Sequence, residues 1–246
     1  MRRLEVLAVE GLPEVHPGDD LAELIASHAT LERGDVVVVA QKIVSKAEGR
    51  IRRLADVTAG EEAKRIASRL IAAPDPRVVQ VILDESVRVV RSERVLITET
   101  RHGFVCANGG VDHSNVPGDD AVSLLPDDPD ASAHNLRTRL AELSGLELGV
   151  IVSDTFGRPW RVGIQNVALG IAGAPSVIDL RGTTDDVGKD LQATVLAVAD
   201  DLAAAAGLVM GKTNRTPVVV VRGFDSSGRP GSGHDMVRPA AEDLFR

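Results

Sequence analysis

This 246-residue sequence predicts an α+β fold, with mixed and antiparallel sheets carrying packed helices. Three observations lead there. The valine runs within "GDVVVVAQ" and "PVVVVRG" are short and β-branched, and read as buried strands. The stretch from 77 to 108 is β-rich with short polar breaks, and reads as an antiparallel meander. Strand and helix patterns do not alternate regularly along the chain, which argues against a doubly wound parallel sheet.

Taken in order, "LEVLAVEGL" (4–12) reads as a first strand closed by a Gly-Leu-Pro turn. "GDDLAELIASHATL" opens on an Asp at an N-cap position, and its apolar residues follow at helical spacing. The first valine run leads into a polar segment that carries Lys42 and Lys46. "GEEAKRIASRLIAA" predicts a helix stopped by Pro74 and Pro76. "RVVQVILDE", "SVRVVRSERVLITET" and "GFVCANGG" form the meander. "DPDASAHNLRTRLAELSG" predicts a capped helix ending at Gly145. A strand over 147–153 follows, delivering Asp154 and Thr155 at its end, before a Gly-Arg-Pro turn and the single Trp of the chain. The region from Asp185 to Gly211 predicts one long helix, and "GFDSSGRPGSG" a flexible loop after the last strand. "PGDDLAELI" and "PGDDAVSLL" echo each other, but Gly-Asp-Asp is common turn chemistry and the echo does not establish a repeat. No linker separates independent units, so residues 1–246 are expected to form one domain.

Composition narrows the function. With four Phe, one Trp and no Tyr, the core must be built from Val, Leu, Ile and Ala. A net charge of −8 and the lack of aromatic–basic interleaving exclude nucleic acid as the expected partner. A small phosphorylated ligand needs only a local cluster of donors and stays open. One cysteine, Cys106, suits a reducing compartment and reads as structural among its apolar neighbours. The N-terminus lacks the pattern of a signal peptide, and no stretch approaches the roughly 20 apolar residues of a membrane span. A cytoplasmic protein with no membrane partner is expected.

Several residues could carry chemistry. "GLVMGKT" (207–213) has one residue too few between its glycines for a P-loop, and a helix precedes it where a strand should. Helix C-cap chemistry is the simpler reading, with Lys212 near the negative end of the dipole. Asp112, in the turn "NGGVDHSN", and Asp154 are carboxylates at element ends. With the Thr155 hydroxyl they would suit a hard divalent cation such as Mg²⁺ or Mn²⁺. They could equally cap turns, as Asp often does. Lys42 and Lys46 could meet phosphate oxygens or form a solvated rim, and Arg181, Asp185 and Asp186 leave the same two readings open. The scattered histidines give no zinc spacing.

Six blocks in order are similar to the coenzyme F420:L-glutamate ligases, also called F420-0:gamma-glutamyl ligases. They are "GLPEVHPGDDL", "GDVVVVAQKIVSKAEGR", "HGFVCANGGVDHSNV", "SDTFGRPWRVG", "LRGTTDDVGKDL" and "AVADDLAAAAGLVMGK". The resemblance implies an amide-forming ligase of gamma-glutamyl ligase-like fold. It condenses L-glutamate onto the phospholactyl carboxylate of coenzyme F420-0, then adds γ-linked glutamate, using GTP and divalent cations through an acyl phosphate. It implies Mg²⁺ or Mn²⁺, one or two per site, with K⁺ as a stimulating cation, and a homodimer. By matching blocks, Asp112 and Asp154 resemble ligands of one metal and Thr155 that of a second. Leu12, Pro13, Glu14, Val15, Gln41, Lys46, Asn115, Met210, Gly211, Lys212 and Thr213 match nucleotide-contacting positions. Arg158 and Arg161 would be further anion contacts.

Three departures stand out. Gln41 replaces a common Ser, Lys212 replaces a metal-binding Gln of several members, and "GIQNVALG" replaces a Gly-Gln-Thr-Asp/Asn pattern near the acceptor pocket. They keep two alternatives open: a related ligase on a different phosphorylated acid, or a non-catalytic nucleotide- or deazaflavin-binding module.

Overall fold

The computed structural model of the chain describes residues 3–113, 120–226 and 228–243. In chain order the strands are β1 (Glu5–Val9), β2 (Val36–Ala40), β3 (Ile51–Arg53), β4 (Ser86–Glu93), β5 (Val95–Thr100) and β6 (Val105–Ala107). They continue as β7 (Ala121–Ser123), β8 (Gly149–Arg158), β9 (Arg161–Ala172), β10 (Ile178–Asp179), β11 (Val195–Leu196) and β12 (Val218–Arg222). The helices are α1 (Leu21–His28), α2 (Gln41–Ala47), α3 (Glu61–Ala67), α4 (Pro76–Asp84), α5 (Pro129–Ser144) and α6 (Val198–Met210). The arrangement is α+β, as the sequence predicts.

The main sheet has the order β1-β12-β2-β8-β9. Only β2 and β8 run parallel, and the other neighbours pair antiparallel. Strand side chains alternate between faces, so each valine run feeds two cores at once. Val37, Val39, Val150, Val152, Val218 and Val220 pack with α1, α2 and α5 on one face. Val36, Val38, Ile151, Val219 and Val221 pack with α6 on the other. All four valines of β2 are therefore fully buried, which is why the run carries no polar alternation. A further apolar cluster joins α3, α4, Leu96 of β5, Val122 of β7 and Leu54. The β4-β5-β6 meander forms as predicted from 86 onward.

Several elements differ from expectation. "RVVQVILD" lies in helix α4, not in a strand. Asp75 caps it by accepting from the Arg77 N–H at 2.8 Å, Pro76 starts it, and Val78, Val79, Val81 and Ile82 bury one face. Helix α3 ends at Ala67, well before Pro74. The Asp185–Gly211 helix begins only at Val198. Ahead of it, the Asp185 carboxylate accepts from the N–H groups of Val187 and Lys189, turn chemistry that competes with a helix. The segment with Lys42 and Lys46 is helix α2. Part of the loop expected to be flexible is tied down, since the Gly231 N–H donates to the Ala174 carbonyl at 3.0 Å. Strand β8 runs on to Arg158, so Asp154 and Thr155 lie within it. Among the described residues, no helix is long and apolar enough to cross a membrane.

Candidate functional site

The parallel pairing of β2 with β8 stops at Ala40 and Ser153, and everything of interest lies just beyond. From Ala40 the chain turns directly into α2, which presents Lys42 and Lys46 one turn apart. From Ser153, β8 continues paired with β9 alone, past a register shift between Val152 and Ser153. An extra residue on one strand re-aims the side chains beside it, and here the next one is Asp154. Asp112 arrives from a third direction. The turn Asn108-Gly109-Gly110 holds three successive residues at positive φ (54°, 57° and 72°). A Cβ on Gly110 would meet Leu125 at 2.6 Å, so only glycine fits there. Past that turn, Asp112 bridges to Ser123.

These groups form one charged cluster. The Lys42 ammonium contacts the Asp112 carboxylate at 2.6 Å. Burial holds the Asp154 carboxyl up at about 6, with Lys42 and Lys212 opposing the rise and Asp112 adding to it. Burial also pushes the nearby Cys106 thiol up to about 12, with the Asp154 charge adding to it, so this cysteine is inert in the folded chain. On the other face of β8, the Thr155 hydroxyl donates to Asn166 Oδ1 at 3.0 Å and accepts from the Lys212 ammonium. Among the described residues, no group of three or more His, Cys, Asp or Glu side chains forms a metal cage. The acidic donors here are the pair Asp112 and Asp154, hard oxygens whose charges are shared with lysines. As a pair they are suited in type to a single divalent cation.

Beside the cluster lies a cleft of about 180 Å³. Its walls are the segment Leu12–Val15, the start of α2 with Ala40, Lys42, Ile43 and Lys46, and the loop after α6. That loop contributes Lys212, Thr213, Arg215, Thr216 and Pro217. Lys46 is buried and donates to Glu14 Oε1, while Arg215 stands 3.6 Å from Glu14 Oε2. The hydrogen bond from Lys46 holds the Glu14 carboxyl below the usual carboxylate range. The cleft thus has apolar walls and a floor of cations, with one carboxylate neutralising part of the charge.

The structure brings Leu12, Pro13, Glu14, Val15, Lys46, Lys212 and Thr213 together in this cleft. Gln41 begins α2 between the cleft residues Ala40 and Lys42, but its side chain is buried and its Oε1 accepts from the Ser45 hydroxyl at 2.8 Å. The Met210 side chain is buried against α6 and the sheet, and Gly211 is the C-cap of α6. Neither lines the cleft, and Gly211 lines the neighbouring cavity beside Thr155. Asn115 lies outside the described residues. The Arg158 guanidinium is engaged with Gln165 Oε1 at 2.5 Å across the hairpin. Arg215, Thr216 and Pro217 were not legible as cleft residues, because nothing in "NRTP" distinguishes it from an ordinary helix-to-strand connection.

A family described as F420-0:Gamma-glutamyl ligase matches residues 11–223. The chain is similar to proteins named coenzyme F420:L-glutamate ligase. The one from Methanopyrus kandleri is 46% identical over 255 residues, covering 100% of both chains. That from Haloarcula marismortui is 47% identical over 248 residues, 99% of this chain and 96% of its own. That from Archaeoglobus fulgidus is 45% identical over 245 residues, 99% of this chain and 97% of its own. An α+β fold with full-length relatives of this kind defines an enzyme of the ligase class. The chain belongs to the F420-0:gamma-glutamyl ligase family.

Proposed function

We propose that this ligase joins L-glutamate to the phospholactyl carboxylate of coenzyme F420-0, in coenzyme F420 biosynthesis, and adds further glutamate through the γ-carboxylate of the first. GTP is the phosphoryl donor. The acceptor carboxylate oxygen attacks the γ-phosphorus, the bond to the β–γ bridging oxygen breaks, and GDP leaves. The glutamate amine then attacks the acyl carbon, the bond to the phosphate oxygen breaks, and the amine nitrogen gives up a proton as phosphate departs. A divalent cation, Mg²⁺ or Mn²⁺, held by Asp112 and Asp154 would supply charge opposite the developing phosphoryl oxygens.

The observation that carries this reading is the continuity of the cationic cleft with the paired carboxylates, through Lys42. Lys46 and Arg215 meet the phosphates, which displace the Glu14 carboxylate that neutralises them. The apolar walls at Leu12, Val15 and Ile43 receive the purine and exclude water from it. The names of the relatives support the acceptor and the amino acid. The family resemblance alone supports a homodimer and stimulation by K⁺. The decisive experiment incubates the folded chain with GTP, Mn²⁺, glutamate and coenzyme F420-0. Glutamate-dependent phosphate release and a product heavier by glutamyl units are expected. A folded protein that releases no phosphate in response to glutamate overturns the reading.

A related ligase on a different phosphorylated acid is the second reading. It is favoured by Gln165 and Asn166, which fall in the departing "GIQN" segment and line a cavity beside Thr155. Mass spectrometry of products from competing acceptors separates the two.

A further inference from the structure

Asp154 and Thr155 are neighbours on β8, and successive strand side chains point to opposite faces. The pair therefore serves two different places. Asp154 belongs with Lys42 and Asp112, on the α2 side. Thr155 belongs with Asn166 on the α6 side, and Lys212 reaches both places, bonding Thr155 and acting on the Asp154 charge. A cation implied at Thr155 has to be tested against that second donor set, and it does not fit. The hydroxyl hydrogen is committed to Asn166 Oδ1, and the oxygen accepts from an ammonium group. Asn166 is itself buried, with Gly207 of α6 so close that a Cβ there would stand 3.2 Å from its amide carbon. Its amide nitrogen donates to Met210 Sδ at 3.6 Å, which turns the carbonyl toward the Thr155 hydroxyl. A divalent ion on Thr155 would have to displace the Lys212 ammonium that its oxygen accepts from.

Lys212 is built into this position. It follows Gly211, the C-cap of α6, and lines two cavities at once. One is the cleft with Lys42 and Lys46, and the other is a cavity of about 520 Å³ that includes Thr155, Gln165 and Asn166. An ammonium group carries three donors, and among the described residues its hydrogen bond is to Thr155. It thus has capacity for anionic oxygens arriving between the cavities.

We propose that the Lys212 ammonium stands where a second metal ion would otherwise bind, so that each protomer takes up one divalent cation with its nucleotide rather than two. The inference rests on the metal- and GTP-dependent reading given above. Removing the charge while offering a neutral carbonyl oxygen, as in Lys212→Gln, converts the place into an ion site.

Equilibrium dialysis against Mn²⁺ with a non-hydrolysable GTP analogue, with protein-bound manganese counted by mass spectrometry, tests this without turnover. The unmodified protein is expected to hold one Mn²⁺ per protomer and to show no Mn²⁺–Mn²⁺ coupling in its electron paramagnetic resonance spectrum. K212Q is expected to hold two, with coupling. Two ions in the unmodified protein, or a single ion in folded K212Q, overturns the inference. The wild-type count stands on its own if the variant does not fold. No manganese in either protein fails the metal-dependent reading itself, a different result from two ions in both.

Discussion

At the scale of single residues, the site works by placing charge where burial makes it costly. Asp154 sits past the end of the parallel pairing, and burial rather than any neighbour dominates its titration. In the proposed reaction it would hold the cation and so act on the phosphoryl step directly. Asp154→Ala should cut glutamate-dependent phosphate release by more than the roughly 10- to 100-fold typical of outer-shell substitutions, with the circular dichroism spectrum unchanged. Near-normal release would refute the role. Asp200 in the first turn of α6 offers a test of burial outside the cleft. Burial holds its carboxyl above the ordinary value, outweighing the Ala168 N–H that it accepts at 2.9 Å. The stability linked to its protonation is fully present below the unfolded value of 3.8 and is lost as pH rises through the raised folded value. Asp200→Asn abolishes that dependence. Its urea midpoint relative to wild type should therefore climb as pH rises through the window, and a pH-independent difference would contradict the assignment.

At the scale of elements, the signals that decide local structure are caps and close approaches more than composition. Helix α4 shows this. Its β-branched residues suggest a strand, while the Asp-Pro start and the i, i+3, i+4 burial of Val78, Val81 and Ile82 determine a helix. Those signals were in the sequence, and composition masked them. Helix α5 was legible from end to end, because Asp128 caps it and Gly145 terminates it with a left-handed residue. Its Asp130 does something no local pattern announces. Its carboxylate accepts from the Ile171 N–H at 2.8 Å and the Gly233 N–H at 2.6 Å, tying β9 and the segment after β12 to the helix. Gly170 permits the approach, since a Cβ there would sit 1.9 Å from the Pro129 carbonyl oxygen. The His234 N–H donates to the same carboxylate at 3.3 Å, so Asp130→Ala strands three donors and should cost about 2–4 kcal/mol, on the order of 1–3 kcal/mol for each unsatisfied group less those that water recovers. Limited proteolysis should then cut within 228–233, and unchanged resistance there would argue against the tether.

At the scale of the whole molecule, the cores divide the labour. The clusters on the two faces of the main sheet carry β2, β12 and the start of α2, and so position the cleft. The cluster around α3, α4 and Leu96 carries the turn that delivers Asp112. Leu96 is fully buried there, so Leu96→Ala should cost about 2–5 kcal/mol. Hydrogen exchange should quicken in α4 and β5 while β2 and β12 stay protected, because opening follows the contiguous packed unit. Uniform quickening across both regions would show instead that the cores unfold as one.

By itself the sequence determined the fold class, the valine strands, the capped helices α1 and α5 and the family, since each of these is written in local pattern or in blocks of consecutive residues. Tertiary structure alone decided that Asp154 and Thr155 serve opposite faces of one strand, that Lys42 joins Asp112, and that Lys212 occupies the Thr155 hydroxyl. The reason is geometric. Contacts between groups far apart in the chain depend on sheet order, register and one bulge, and none of these leaves a mark on the residues that finally meet.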